Sequence, residues 1–448
     1  MSRTPCRNLL TASALIALTM AVPACLSRAP IASFEDNHAD ATAAILEAEE
    51  HLIAFRHDLH RHPELSLQEV RTSGKIAEQL TALGLEVRTH VGGYGVVGIL
   101  RGEGQGAVTG PTIAFRADMD ASPDYSEDPV PYAAEVRGVA HNCGHDVHSA
   151  IGLALATGLA EIRDTLTGNA IFVFQPAEET GTGARAMIAD NVFAELQPDA
   201  ILAVHTYPAE VGHLLSSEGP LMPGRGRLTV TLSGSGDLGT AASKIRAALN
   251  AVATVTPDQR FGPVSPDFID VDLAAERADP ASGTMVIQGL VMSAGVERRA
   301  EVKEKIMQAI RSQTFANITV DVSYEQALEG VNNDAHVLDI ASTAISASTP
   351  NVSIETLSTV IPAFSEDFGS FQLEVPGVMY FLGVNNAAKG TIGYPHTPTY
   401  IADDGAIALG GRAMVAASLA LMEKLETKDE GSGNGAASSS SATLAQTF

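Results

Sequence analysis

Eight consecutive residues, His141 to His148 (HNCGHDVH), carry three histidines, one cysteine and one aspartate, in a chain with 13 His and 3 Cys among 448 residues. Cys143 and His145 flank Gly144, so a tight turn can aim both at one point. Thiolate, imidazole and carboxylate together suit a borderline-soft divalent ion such as zinc, with manganese, cobalt or nickel as alternatives. Taken alone, the same histidines also fit a helix start with satisfied polar side chains. A second group, Pro176-Ala177-Glu178-Glu179, places paired carboxylates directly after the apolar run NAIFVFQ. In metal-assisted hydrolysis one carboxylate can hold a metal while its neighbour takes a proton from water. Without that preceding strand, adjacent glutamates would read as solvated surface.

These residues need a frame that brings them together. Helical spacing runs over 41–69 and should stop near His62-Pro63, because proline disfavours helical geometry in the residue before it. A second helix over 70–83 ends at Gly84. LEVRTH, YGVVGIL and TIAFRADMD read as strands, with the glycine-rich turn Gly104 to Gly110 as a hairpin tip. A helix is expected over 149–164, then the strand NAIFVFQ, a helix through Met187, and the strand DAILAVH ending at His205. Alternating strands and helices indicate an α/β layer with a largely parallel sheet. Ligands bind beyond the carboxyl ends of such strands, where Asp118, Glu178, Glu179 and His205 fall.

Around Pro223 the texture changes. Residues 227–322 read strand, helix, strand, strand, helix, strand, the βαββαβ order of a ferredoxin-like unit. The α/β pattern then resumes with a helix over 336–348, strands near VSIETL and VMYFLGV, a loop carrying His396, and a closing helix over 404–424. The expected organisation is a catalytic α/β/α domain in two parts, 41–222 and 329–425, interrupted by an inserted domain over 223–328. The low-complexity segment 426–448 is expected to be disordered.

The formal charge of -25, from 28 basic and 53 acidic residues, argues against a nucleic-acid surface. Residues 1–25 have the basic start, apolar run (Leu9 to Val22) and short end of a secretory signal, which implies export to a periplasmic compartment. The run is too short and wrongly flanked for a membrane span. Cys25 after Val-Pro-Ala leaves two outcomes open, lipidation of Cys25 or cleavage behind Ala24. With the signal gone, Cys143 cannot form an internal disulfide, and its neighbours favour a chemical task.

Seven stretches in register, HRHPELSLQE, FRADMDA, HNCGHDVH, QPAEE, AVHTYP, SEDF and YPHTP, resemble the successive motifs of the M20 metallopeptidases over roughly residues 41–425. The resemblance is to the M20D amidohydrolases, which include hippurate hydrolases, N-acyl-amino-acid amidohydrolases and plant auxin-conjugate hydrolases. It implies a zinc-peptidase-like catalytic domain with a lid and dimerisation insert, and two divalent ions about 3.5 to 4 Å apart. Cys143 matches the metal-bridging cysteine; His145, Glu179, His205 and His396 match the other ligands. Glu178 matches the general base acting on the metal-bridging water. Asp120 matches the acidic residue behind the metals, whose part in catalysis is to orient a ligand. His141, His148 and Asp146 are expected in supporting roles, and His60 and His62 in the pocket wall. The implied substrates are N-acyl amino acids or small peptides, and the implied assembly a homodimer through the insert.

The insert departs from that pattern. The family's Gly-Gly-His-Ala turn is replaced by SGSGDLGTAAS, with Asp237 where the family has a histidine that helps stabilise the oxyanion. The open consequences are another donor, such as Arg225, Arg227 or a backbone amide; a substrate cation paired with Asp237; slow turnover; or a peptide-binding protein without turnover.

Overall fold

The computed structural model describes residues 32–127, 129–279 and 281–425, so the signal-like segment and the tail lie outside the described residues. Helix α1 (Phe34–Glu47) opens with a capping box, Ser33 and Asp36 each accepting from the other's backbone N–H. The single helix expected over 41–62 is broken at Ala48, and α2 (Glu49–Arg61) continues from there. The break lets α1 bury Ala41 and Ile45 while α2 buries Leu52, Phe55 and Leu59 along its own stripe. After α3 (Val70–Ala82) come β1 (Glu86–Val91), β2 (Gly95–Arg101), β3 (Thr112–Asp118), α4 (His145–Glu161), β4 (Asn169–Gln175), α5 (Gly183–Ala189), β5 (Ala200–Glu210), β6 (His213–Ser216) and β7 (Gly219–Met222). The next segment holds β8 (Gly224–Gly234), α6 (Leu238–Asn250), β9 (Asp270–Leu273), β10 (Arg277–Asp279), β11 (Thr284–Ser293), α7 (Val296–Arg311) and β12 (Ile318–Leu328). Then follow β13 (Val331–Asn333), α8 (Ala335–Ser348), β14 (Ser353–Thr356), α9 (Gly369–Gln372), β15 (Gly377–Asn385) and α10 (Gly405–Lys424).

The main sheet has eight strands in the order β1-β2-β4-β3-β5-β15-β6-β14. Its centre, β4-β3-β5-β15, is parallel, and the antiparallel pairs lie to either side. Every residue of β3 and of β4 is buried, as central strands covered on both faces require. This corrects one expectation. The turn at 104–110 is not a hairpin tip, because β4 inserts between β2 and β3 and pairs with both. One face carries α1, α2, α4, α8 and α10 on the larger core, and the other carries α5 and α9. Helix α10 is long and apolar enough to span a bilayer, but it is buried against α4 and α8 as a core helix.

The segment after β7 builds a second sheet, ordered β10-β11-β8-β12, with β9 also paired to β11. Along β9-β11-β8-β12 this is the ferredoxin-like arrangement, with α6 and α7 packed over one face through Leu228, Val230, Leu232, Ile245 and Ile306. Asp237 is the N-cap of α6: its Oδ1 accepts from the Thr240 N–H at 3.0 Å and its Oδ2 from the Thr240 hydroxyl at 2.7 Å.

Candidate active site

The stretch first singled out is a loop closing into a helix. Helix α4 starts at His145, four residues earlier than the sequence pattern suggests, and Gly144 precedes it at φ 92°. A Cβ there would stand 2.3 Å from the Tyr400 hydroxyl oxygen and 2.5 Å from Thr206 Oγ1, so this turn needs glycine. Cys143 and His145 thereby face the carboxyl ends of the central strands. The Pro176 to Glu179 turn leaves β4, His205 lies on β5, and His396 arrives on the loop after β15. The His396 backbone N–H donates to the Asn142 carbonyl at 2.8 Å, which ties that loop to the residue before Cys143.

All six residues expected to carry the chemistry converge. Donor atoms of Cys143, His145 and His205 lie within 4.8 Å of one another, as do those of Cys143, Glu179 and His396. Cys143 belongs to both triples. Glu178 joins His145 and Glu179 in a third group on the same distance criterion. Cys143, Glu178, Glu179, His205 and His396 line a cavity of about 580 Å³ that is closed on the other side by Met222, Arg225 and Leu290 of the second-sheet segment and its approach.

Hydrogen bonds fix the donor atoms. His205 Nδ1 donates to the Thr206 carbonyl at 2.8 Å, leaving the Nε2 lone pair 3.5 Å from Cys143 Sγ; burial holds this imidazole neutral, down to about 3. His145 Nδ1 donates to the Asp120 carbonyl at 2.9 Å, and its buried Nε2 has no hydrogen-bond partner among the described residues. His148 has no nitrogen to spare: Nδ1 donates to Asp118 and Nε2 accepts the Thr206 N–H. Asp146 binds Arg56 and His60, and the His141 ring is buried away from the cavity, held neutral by burial at about 4. His148 and Asp146 therefore support the loop through their hydrogen bonds. His60, tied to Asp146, and His62, beside Asp58, do not line the cavity, contrary to the expectation for them.

Asp120 organises the acidic turn. Its oxygens accept the backbone N–H groups of Glu178 and Glu179, both at 3.1 Å, and the Ser66 hydroxyl at 2.6 Å, and Oδ1 stands 3.3 Å from His145 Nδ1. A carboxylate has about four lone-pair sites, and three take hydrogen bonds from this turn and from Ser66, so Asp120 acts by orientation. Ala177 adopts φ 55°, and its N–H is held by Glu69 Oε1 at 2.9 Å. Ser122 fixes Glu179 through a 2.6 Å hydrogen bond to Oε1, leaving Oε2 3.7 Å from His396 Nε2.

A buried arginine behind the site escaped the sequence reading. Arg116 on β3 is fully buried and binds Asp118, Glu366, Asp367 and Gln175. A charge inside a strand that the sequence marks as buried demands buried partners, and that was the signal available. Glu366 and Asp367 reach Glu178 from behind. Burial pushes the Glu178 carboxyl well above the usual range, with Glu366 and Asp367 adding to it and His145 opposing; burial likewise takes Asp367 up to about 8.

The donor set fits divalent ions. Burial pushes the Cys143 thiol up to about 12, so only a strong local cation makes it a thiolate. Burial opposes charge on His145, yet Asp118 and Cys143 overcome it and raise the imidazole well above its ordinary value. The cage thus calls for positive charge at its centre.

Parallel strand ends, two donor triples with a shared thiol and an adjacent buried glutamate define a dinuclear metallohydrolase. The chain belongs to peptidase family M20/M25/M40, whose model matches residues 114–430. It is 30% identical over 387 residues to thermostable carboxypeptidase 2 of Saccharolobus solfataricus, covering 82% of this chain and 95% of that one. With N-acetyl-L-cysteine deacetylase of Bacillus subtilis it shares 29% identity, over 80% of this chain and 85% of that one. A solved Bacillus subtilis structure, described as a dinuclear metal-binding peptidase of family M20, superposes with a TM-score of 0.71 at 28% identity, covering 85% and 99%.

Proposed function

We propose that this metal-dependent amidohydrolase cleaves the amide bond between an acyl or peptidyl group and an amino acid, with Glu178 as general base and zinc as the native metal. The observation that carries the reading is Cys143 common to two donor triples, with Glu178 beside them. Cys143, His145 and His205 would hold one ion and Cys143, Glu179 and His396 the other. When bound, the ions supply Lewis acidity to the scissile carbonyl and to water. Glu178 takes the proton of the attacking water and returns it to the amide nitrogen as the C–N bond breaks. The cavity's size accommodates an N-acyl amino acid or a short peptide. The names of the relatives, a carboxypeptidase and a deacetylase, are consistent with that range. A reading as a binder without turnover is disfavoured by Glu178, since a site that only binds needs no base beside its donor triples.

The test is a hydrolysis screen over N-acetyl and N-benzoyl amino acids and dipeptides, with elemental analysis of the purified protein. About two zinc ions per chain and activity lost to a chelator are expected; chelator-insensitive hydrolysis sinks the reading. We further propose that residues 1–25 direct export to the periplasm, that Cys25 can serve as a lipid anchor, and that the second sheet is a lid through which two copies associate. Mass spectrometry of the mature N-terminus, cell fractionation and light scattering check these in turn. A chain retaining Met1 in the cytosol, or a monomer at all concentrations, overturns the corresponding part.

A further inference from the structure

Three arginines line the cavity, and two are already engaged. Arg185 pairs with Glu329 at 2.8 Å and donates to the Gln326 carbonyl, and Arg227 pairs with Glu325 at 3.4 Å near the rim. Arg225 has no hydrogen-bond or ion-pair partner among the described residues, and its Nε is buried without one. Glu178 lines the same cavity, and its charge is the one that acts on Arg225. Burial lowers the pKa of Arg225 and the glutamate counters that, as expected for a half-desolvated cation without a paired acid.

Strand geometry sets where Arg225 points. On β8, Leu228, Val230 and Leu232 are fully buried beneath α6 and α7, so alternation puts Arg225 and Arg227 on the opposite face. Behind Arg225 the strand is closely packed: a Cβ on Gly226 would lie 2.2 Å from the Tyr324 hydroxyl oxygen, and one on Gly224 would lie 2.9 Å from the Leu328 carbonyl oxygen. A β-bulge between Gln326 and Leu328 of β12 sits opposite Arg225, a device that re-aims side chains beside active sites. The guanidinium is thus carried on a rigid element toward the residue that handles the proton.

Resting on the hydrolase reading above, we propose that Arg225 is a catalytic residue that donates hydrogen bonds to the scissile carbonyl oxygen as the tetrahedral intermediate forms. Arg225 and Glu178 line the same cavity, so a carbonyl attacked by the water that Glu178 activates would lie within it beside the guanidinium. The water oxygen bonds to that carbon, the C=O π pair moves onto oxygen, and Glu178 takes the water proton. Arg225 meets the new negative charge and keeps its own protons. On collapse the C=O bond reforms, the C–N bond breaks, and the proton on Glu178 goes to the leaving amine.

The experiment compares wild type with Arg225→Met and Arg225→Lys on an N-benzoyl amino acid and on its carboxamide counterpart. Calorimetry with a phosphinate analogue of the same substrate gives a readout independent of turnover. In Arg225→Met, kcat should fall about 10²- to 10³-fold on both substrates with KM little changed. Phosphinate affinity should fall alongside kcat, and metal content should match wild type. Arg225→Lys, which keeps the charge, should recover part of the loss and serves alone if the methionine variant does not fold. A rise in KM confined to the carboxylate substrate overturns the proposal, since Arg225 would then hold that carboxylate; unchanged kcat overturns it as well. Failure of the wild type to show chelator-sensitive turnover is a separate outcome that sinks the hydrolase reading itself, and the proposal with it.

Discussion

At the scale of single residues, Glu178 and Asp120 divide one task. Asp120 spends its oxygens on the backbone of the acidic turn, and Glu178 is left free to face the donor cluster. Replacing Glu178 with Gln keeps shape and removes the base, so kcat should fall about 10²- to 10⁴-fold with metal stoichiometry intact by elemental analysis. Loss of metal along with activity would contradict that assignment of Glu178. The site was largely legible at this scale. Cys143, His145, Glu178, Glu179, His205 and His396 were each found through motifs, and all converge. What stayed hidden were groups with no motif chemistry of their own: Ser66, Glu69 and Ser122, whose value lies only in which backbone N–H or carboxylate they reach. Asp237 shows the same limit, because the sequence reveals a missing histidine but not the Thr240 hydrogen bonds that use the aspartate.

At the scale of elements, the site depends on how strands and turns are joined. Arg116 links β3 to the loop carrying Glu366 and Asp367, across the base of the β4 turn. Arg116→Met leaves several buried acids without their cation and should cost about 3–5 kcal/mol in denaturant unfolding; a change below 1 kcal/mol would show that the network is dispensable. Asp237→Ala removes the cap of α6, so it should lower the melting temperature measurably while leaving kcat at the wild-type level. A large fall in kcat would return Asp237 to the catalytic machinery. Helix and strand types were readable from periodicity, but strand order was not. Nothing in the run from Gly104 to Gly110 reveals that β4 will part β2 from β3, since the partner that does so follows α4 further along the chain. The break at Ala48 was equally invisible, being set by what α1 and α2 pack against.

At the scale of the whole molecule, stability should respond to acid through a group remote from the cavity. His38 on α1 is buried, and its pKa is lowered by burial first, with the Arg412 charge on α10 adding and a backbone hydrogen bond to Arg412 opposing. The folded state therefore favours the neutral ring, while the unfolded chain takes up a proton as the pH falls below about 6.5. The stabilisation is complete above that pH and is lost below it. Melting temperatures measured from pH 7.5 to 5 should fall less steeply in His38→Gln than in wild type; parallel slopes would remove His38 from the account.

The central sheet is completed late in the chain. Strand β5 has β15 as its partner, Ile201 opposite Gly377, and helix α4 lies against α10, the last described element. Loop closure across the intervening second sheet must be completed before those contacts contribute, which makes for slow, non-local folding. A chain that has not yet produced Gly405–Lys424 lacks the helix that covers Ile151, Ala154 and Gly158, so its larger core is incomplete.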